Sequence, residues 1–98
     1  LSKKELANTI IAYEPLWAIG AKVAATPEDA REMRIYMQKG IADMVDEKAL
    51  KKIAILYGGS VTAKNAKEFI SVGGMHGLLV GRASLEAKSF VSIISSLA

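Results

Sequence analysis

There is no cysteine in this chain. That excludes disulfides and any zinc or iron–sulfur site built on thiolates, and it is compatible with the cytoplasmic location expected here. Only one histidine is present, His76. No two strong metal ligands share a plausible spacing, so neither a metal nor another cofactor is expected. The apolar runs fall well short of the roughly 20 residues a membrane-spanning helix needs. The opening Leu1-Ser2-Lys3-Lys4 leads into a polar helical stretch rather than a secretory leader. An initial Met is also missing, as in a fragment or a trimmed chain. Charge of one sign is not concentrated either: 13 Lys and Arg face 10 Asp and Glu, a net +3 at pH 7. A basic balance can signal a nucleic-acid partner. Here the lysines are spread beside acidic residues, and the tightest group, Lys48, Lys51 and Lys52, reads as a solvated helix end. No nucleic-acid and no membrane partner is expected.

What is present suits a packed globular protein: 51% of the 98 residues are hydrophobic. A chain of this length is one domain or less and buries only roughly two-thirds of its unfolded surface. Three short apolar runs stand out: Thr9 to Tyr13, Ile53 to Tyr57 and Gly77 to Val80. They do not alternate apolar and polar, which is the pattern of strands buried on both faces. Each is followed by a glycine-containing loop and a helical pattern. Thr26 is a good N-cap, Pro27 fits the first helical position, and Asp29 can complete a capping box. Ala30, Met33, Met37, Ile41 and Met44 then recur on one helix face, reading as core packing. A second helix starts near Thr62 and uses Ala66, Phe69 and Ile70. A third follows Ser84 and is expected to bury Phe90, Val91, Ile94 and Leu97. Leu1 to Ala7 read as the end of an earlier helix.

The alternation implies an α/β fold with three parallel strands, three helices and right-handed crossovers. Three strands leave two bare edges, which invite pairing with another chain. A closed barrel of eight such units removes the edges and takes about 250 residues. The chain therefore reads as part of something larger.

In such folds ligands bind at the carboxyl ends of the strands. Those ends are Glu14-Pro15, Gly58-Gly59-Ser60 and Gly81-Arg82-Ala83-Ser84. Glu14 directly follows an apolar strand, and Pro15 holds it in an extended conformation. It is either a general base, with its pKa raised by partial burial, or a surface carboxylate. The two glycine loops are either simple turns or a concavity of amides that holds an anion such as phosphate. Pro15 to Ala25 contains Leu16, Trp17 and Ile19, too apolar for an ordinary solvated connection. It is either a mobile lid or a static loop packed on the core. His76, before a strand, lies on the opposite face and reads as a turn residue.

Three segments carry a family resemblance: Ala12-Tyr13-Glu14-Pro15-Leu16-Trp17-Ala18-Ile19-Gly20, Tyr57-Gly58-Gly59-Ser60-Val61, and Gly77 to Leu85. In order and spacing the chain resembles the last three strand-loop units of the triosephosphate isomerases. The resemblance implies part of a (β/α)8 TIM barrel. Residues 1–8 would end helix 5, 9–25 form strand 6 and the lid, and 26–52 form helix 6. Residues 53–76 would form strand 7 and helix 7, and 77–98 strand 8 and helix 8. It implies interconversion of dihydroxyacetone phosphate and glyceraldehyde 3-phosphate in glycolysis and gluconeogenesis. That enzyme is itself the standard worked case of a carboxylate base paired with a neutral histidine electrophile, so the role split is carried over rather than derived. Glu14 matches the base. Gly20, Ser60, Gly81 and Arg82 match the positions that hold the phosphate through backbone amides. Pro15, Trp17 and Ile19 match the lid, whose closure is likewise a known property of that enzyme. Tyr57 and Ser60 match the residues that latch it. The electrophilic His and the substrate-binding Lys and Asn belong to the five units this chain does not contain, and so does the loop of the family homodimer. A homo-oligomer is expected nonetheless. Where the family commonly has Thr-Gly-Lys-Thr-Ala, the far hinge reads Ala21-Lys22-Val23-Ala24-Ala25, and Arg82 stands where glycine is common. The alternative role is an inactive unit of folding or oligomerisation acting through its strand edges.

Overall fold

The computed structural model describes residues 1–15 and 25–98. The elements run α1 (Lys3–Ala7), β1 (Ile10–Tyr13), α2 (Pro27–Ala42), α3 (Glu47–Lys52), β2 (Ala54–Gly59), α4 (Ala66–Ser71) and β3 (Gly77–Val80). A 3-10 turn (Arg82–Leu85) and α5 (Ala87–Ser96) complete the chain. All three strands are parallel, in the order β1-β2-β3. Tyr13 stands beside Tyr57, and Gly59 beside Val80. This is a three-unit portion of the TIM-barrel pattern, with helices following strands.

Local chemistry accounts for the helix starts. Thr26 Oγ1 accepts from the Asp29 amide at 3.1 Å, and the Thr26 amide donates to Asp29 Oδ2 at 2.9 Å. Pro27 occupies the first turn, where its missing N–H costs nothing. Ser2 and Glu5 form the same reciprocal box on α1. Between α2 and α3 the helical periodicity breaks. Met44, expected on the α2 stripe, lies beyond the helix end and is exposed. Asp46 then starts a new helix, its side chain accepting from the Ala49 amide at 2.7 Å.

The core sits on one face of the sheet. Ile55, Tyr57, Ala30, Ala66, Phe69, Met75 and Ile93 form a buried cluster, with Ile11, Tyr13, Met37, Leu78 and Val80 packed against it. Leu6, Ile41 and Ile53 form a second cluster under α1 and α3. On the opposite sheet face Ile10 and Leu79 are exposed. The third helix departs from expectation. Only Ile93 of α5 is buried, while Phe90, Val91, Ile94 and Leu97 are exposed. The sheet ends at β3, and α5 has α4 as its helical neighbour on one side. The rest of its apolar arc is exposed.

Gly40 lies within α2, exposed, and a Cβ there would meet nothing within 4 Å. Gly40→Ala is therefore expected to stabilise the chain by about 0.5–1 kcal/mol, through the chain entropy that glycine loses in a helix. A urea midpoint that fails to rise would refute this.

Candidate functional site

Because the strands are parallel, all three exits lie at one end of the sheet. Glu14 follows β1 directly and is exposed, whereas Pro15 is buried. On β2, a Cβ at Gly58 would meet the Tyr13 carbonyl at 3.7 Å, so the β1 exit passes close to the β2 exit.

Ser60 leaves β2 exposed. Its loop is shaped by Asn65, a residue that the motifs and periodicity do not single out. Asn65 Nδ2 donates to the Ser60 carbonyl at 2.9 Å, and Asn65 Oδ1 accepts from the Thr62 amide at 2.8 Å. A signal for it does exist in the sequence, since an Asn three residues after Thr62 is a residue type that ties down turns. Past β3, Ser84 donates twice to the Gly81 carbonyl, from its amide at 2.9 Å and from Oγ at 2.6 Å. These bonds close a 3-10 turn over Arg82–Leu85, so regular helix begins only at Ala87. Gly81 and Arg82 are exposed on this turn. Ser60 and Gly81 each stand one residue beyond the paired Gly59 and Val80. Gly20, Trp17 and Ile19 lie outside the described residues, as does most of the lid segment.

Tyr57 anchors this end from beneath. Its ring stacks on Phe69 at 3.9 Å and 12°, and meets Tyr13 at 6.5 Å and 59°. A Cβ on Gly59 would come within 2.5 Å of the Tyr57 hydroxyl, so glycine is needed there for the phenol to lie along the strand. Burial, followed by the nearby Tyr13 and Asp29, pushes the Tyr57 phenol above its ordinary value of 10.0. The native state thus favours the protonated phenol. Its contribution to stability is complete below pH 10 and is lost as pH rises through the raised native pKa. Tyr57→Phe is expected to flatten the alkaline loss of stability. Identical urea midpoints against pH for both chains above pH 10 would contradict it.

His76 serves the other end of the sheet. Its Nδ1 accepts from the Ile55 amide at 2.9 Å, and its own amide donates to the Ile55 carbonyl at 2.9 Å. It fastens the amino end of β3 to β2 and stands apart from the exits. Between the end of β1 and α2 is a cavity of about 340 Å³, lined among the described residues by Tyr13, Asp29, Glu32, Met33 and Tyr36. Among the described residues no group of three or more His, Asp or Glu is arranged to hold a metal. No helix among them is long and apolar enough to cross a membrane.

Comparison with known proteins extends this picture. The family model for triosephosphate isomerase matches residues 1–97. The triosephosphate isomerase of Saccharomyces cerevisiae is 45% identical over 93 residues, which is 95% of this chain and 37% of the relative. That of Candida albicans is 48% identical over 89 residues, 91% of this chain and 36% of the relative. That of Dictyostelium discoideum is 43% identical over 93 residues, 95% and 36% respectively. The chain thus spans well under half the length of the relatives it matches.

Proposed function

Since the chain belongs to the triosephosphate isomerase family, we propose that it supplies the base, lid and phosphate-holding part of such an isomerase, acting on triose phosphates without a cofactor. Glu14 removes a proton from the carbon beside the substrate carbonyl and returns it to the neighbouring carbon. Amides of Gly20, Ser60, Gly81 and Arg82 hold the phosphate. Pro15, Trp17 and Ile19 belong to the lid, which excludes water when Tyr57 and Ser60 latch it. The observation that carries this reading is the gathering of the Glu14, Ser60 and Gly81-Arg82 exits at one end of a parallel sheet. The five preceding units would bring the electrophilic His and the Lys, and the complete enzyme would work as a cytoplasmic homodimer.

On this reading the 98-residue chain alone turns over negligibly. Proton removal from carbon leaves an enediolate, and its oxygen needs a donor. One such donor is worth about 10²–10³ in rate, and the general base about 10²–10⁴. An isomerase assay of the chain, with Glu14→Gln beside it, is expected to find no difference between the two. Activity that disappears with Glu14→Gln, or that lies within about tenfold of a full-length relative, would overturn the half-site assignment. A second reading, the chain as an assembly unit, is favoured by the unpaired outer edges of β1 and β3 in the described sheet.

A further inference from the structure

The β2 and β3 exits share a device that the motifs do not announce. In each, a side chain from further along the chain grips a backbone carbonyl just past the strand. At the β3 exit the Gly81 carbonyl accepts twice from Ser84, from the amide at 2.9 Å and from Oγ at 2.6 Å. A carbonyl oxygen has two lone pairs, so both are used. At the β2 exit the Ser60 carbonyl accepts from Asn65 Nδ2 at 2.9 Å. Asn65 is half-buried and is itself held, since its Oδ1 accepts from the Thr62 amide at 2.8 Å. Only one orientation of the carboxamide satisfies both partners. The Asn65 carbonyl in turn accepts from the amide of buried Phe69 at 3.2 Å, which anchors the grip on α4. The two gripped residues stand side by side, each one residue beyond the paired Gly59 and Val80.

The consequence for an anion is electrostatic. No described peptide bond is cis, and in a planar trans peptide the N–H and the C=O point in opposite directions. The Gly81 carbonyl shares its peptide with the Arg82 N–H. Turning that carbonyl into Ser84 therefore turns the Arg82 N–H the other way, and it keeps the negative end of the peptide off a bound anion. The grip on the Ser60 carbonyl does the same at the neighbouring loop and fixes Ser60 against α4. We propose that Ser84 and Asn65 are the positioning residues of the phosphate cradle. Neither touches the phosphate; each holds a carbonyl so that the amides of Ser60 and Arg82 are left to face it. This rests on the phosphate reading of the two loops given above. The bonds are internal to the β2–α4 and β3–α5 units, so they need nothing from the units that precede them.

Titration of inorganic phosphate into the nitrogen-15-labelled 98-residue chain tests this, read from the amide resonances of Ser60, Gly81 and Arg82. In the parent these resonances are expected to shift together along one binding curve. Ser84→Ala and Asn65→Ala are each expected to weaken binding about two- to tenfold, the span of one hydrogen bond. Ser84→Thr keeps the hydroxyl and is expected to bind as the parent does. Ser71→Ala is the control: Ser71 Oγ donates to the Lys67 carbonyl at 2.9 Å, the same kind of bond at the other end of α4. Its loss is expected to leave phosphate affinity unchanged. Ser84 is exposed, so if Asn65→Ala loses the circular dichroism of the parent, the Ser84 pair decides the matter. A parent whose exit amides ignore phosphate would overturn the phosphate reading and this inference with it. A parent that binds, with Ser84→Ala and Asn65→Ala binding equally well, would overturn the positioning role and leave the phosphate reading standing. So would equal weakening by Ser71→Ala, or a Ser84→Thr chain no better than Ser84→Ala, since either would mark the effect as a general loss of structure.

Discussion

Tyr57→Ala is expected to remove a large share of the chain's total stability rather than loosen one site. The Tyr57 ring is among the most deeply buried in the chain, stacked on Phe69 and touching Tyr13. It joins the middle strand to α4, and few other large side chains are as deeply placed. Phe69, Ile53 and Ile55 are the remaining fully buried ones among the described residues. Truncating a buried aromatic ring costs about 3–5 kcal/mol. A chain of this size has about 5–15 kcal/mol in all, and one with an uncovered sheet face sits toward the lower end. The loss is therefore of the same order as the total. Tyr57→Phe keeps the stack and removes only the hydroxyl, so it is expected to melt close to the parent. Thermal melts followed by circular dichroism separate the two. A Tyr57→Ala chain melting within about 5 °C of the parent would show that the stack is peripheral to stability.

The residues legible in the sequence are those governed by neighbours in sequence. Thr26, Pro27 and Asp29 announce α2 because a capping box is closed within four residues. The apolar runs announce the strands, and alternation with helices announces a parallel sheet. What sequence misses is set by absent or competing partners. Phe90, Val91, Ile94 and Leu97 have the periodicity of a buried helix, but burial requires a neighbouring surface, and all four are exposed. Met44 continues the α2 stripe on paper, but α2 ends at Ala42, and Asp46 accepts the Ala49 amide to start a new helix. At the candidate site, the positions of Glu14, Ser60, Gly81 and Arg82 follow from strand ends. The part played by Asn65 does not, because its bonds to Ser60 and Thr62 belong to a loop with no periodic pattern. The exposure of Glu14 has the same origin as that of Val91: burial is a property of the surroundings, and residue type alone does not fix it.

A second large effect is expected far from the candidate site, at Gly73. A Cβ there would stand 2.5 Å from the Phe69 carbonyl oxygen and 3.3 Å from that of Pro27. Both obstacles are backbone, so neither can swing aside. The Phe69 carbonyl also accepts the Met75 amide at 3.2 Å, and the Gly73 carbonyl accepts Arg34 Nε at 3.0 Å. Relief of the clash would therefore disturb the turn that delivers buried Met75 to the core and His76 to Ile55. That turn sets where β3 begins, and through the register it sets where Gly81 and Arg82 emerge beside Ser60. Overpacking of this kind costs about 1–3 kcal/mol, and the upper end is expected for Gly73→Ala because two backbone segments must move. Gly74 offers the contrast. Its φ of +68° puts it in the left-handed region, and a Cβ would meet the Arg34 guanidinium at 2.7–2.9 Å. The conformational cost for alanine there is about 1–2 kcal/mol, and the guanidinium, as the end of a flexible side chain, can move. Gly73→Ala is thus expected to lower the urea midpoint more than Gly74→Ala, and to shift the Ile55 amide resonance, which reports the His76 bond. The reverse order of midpoints would mean that left-handed strain at Gly74, and not the close approach at Gly73, fixes this turn and with it the placement of the β3 exit.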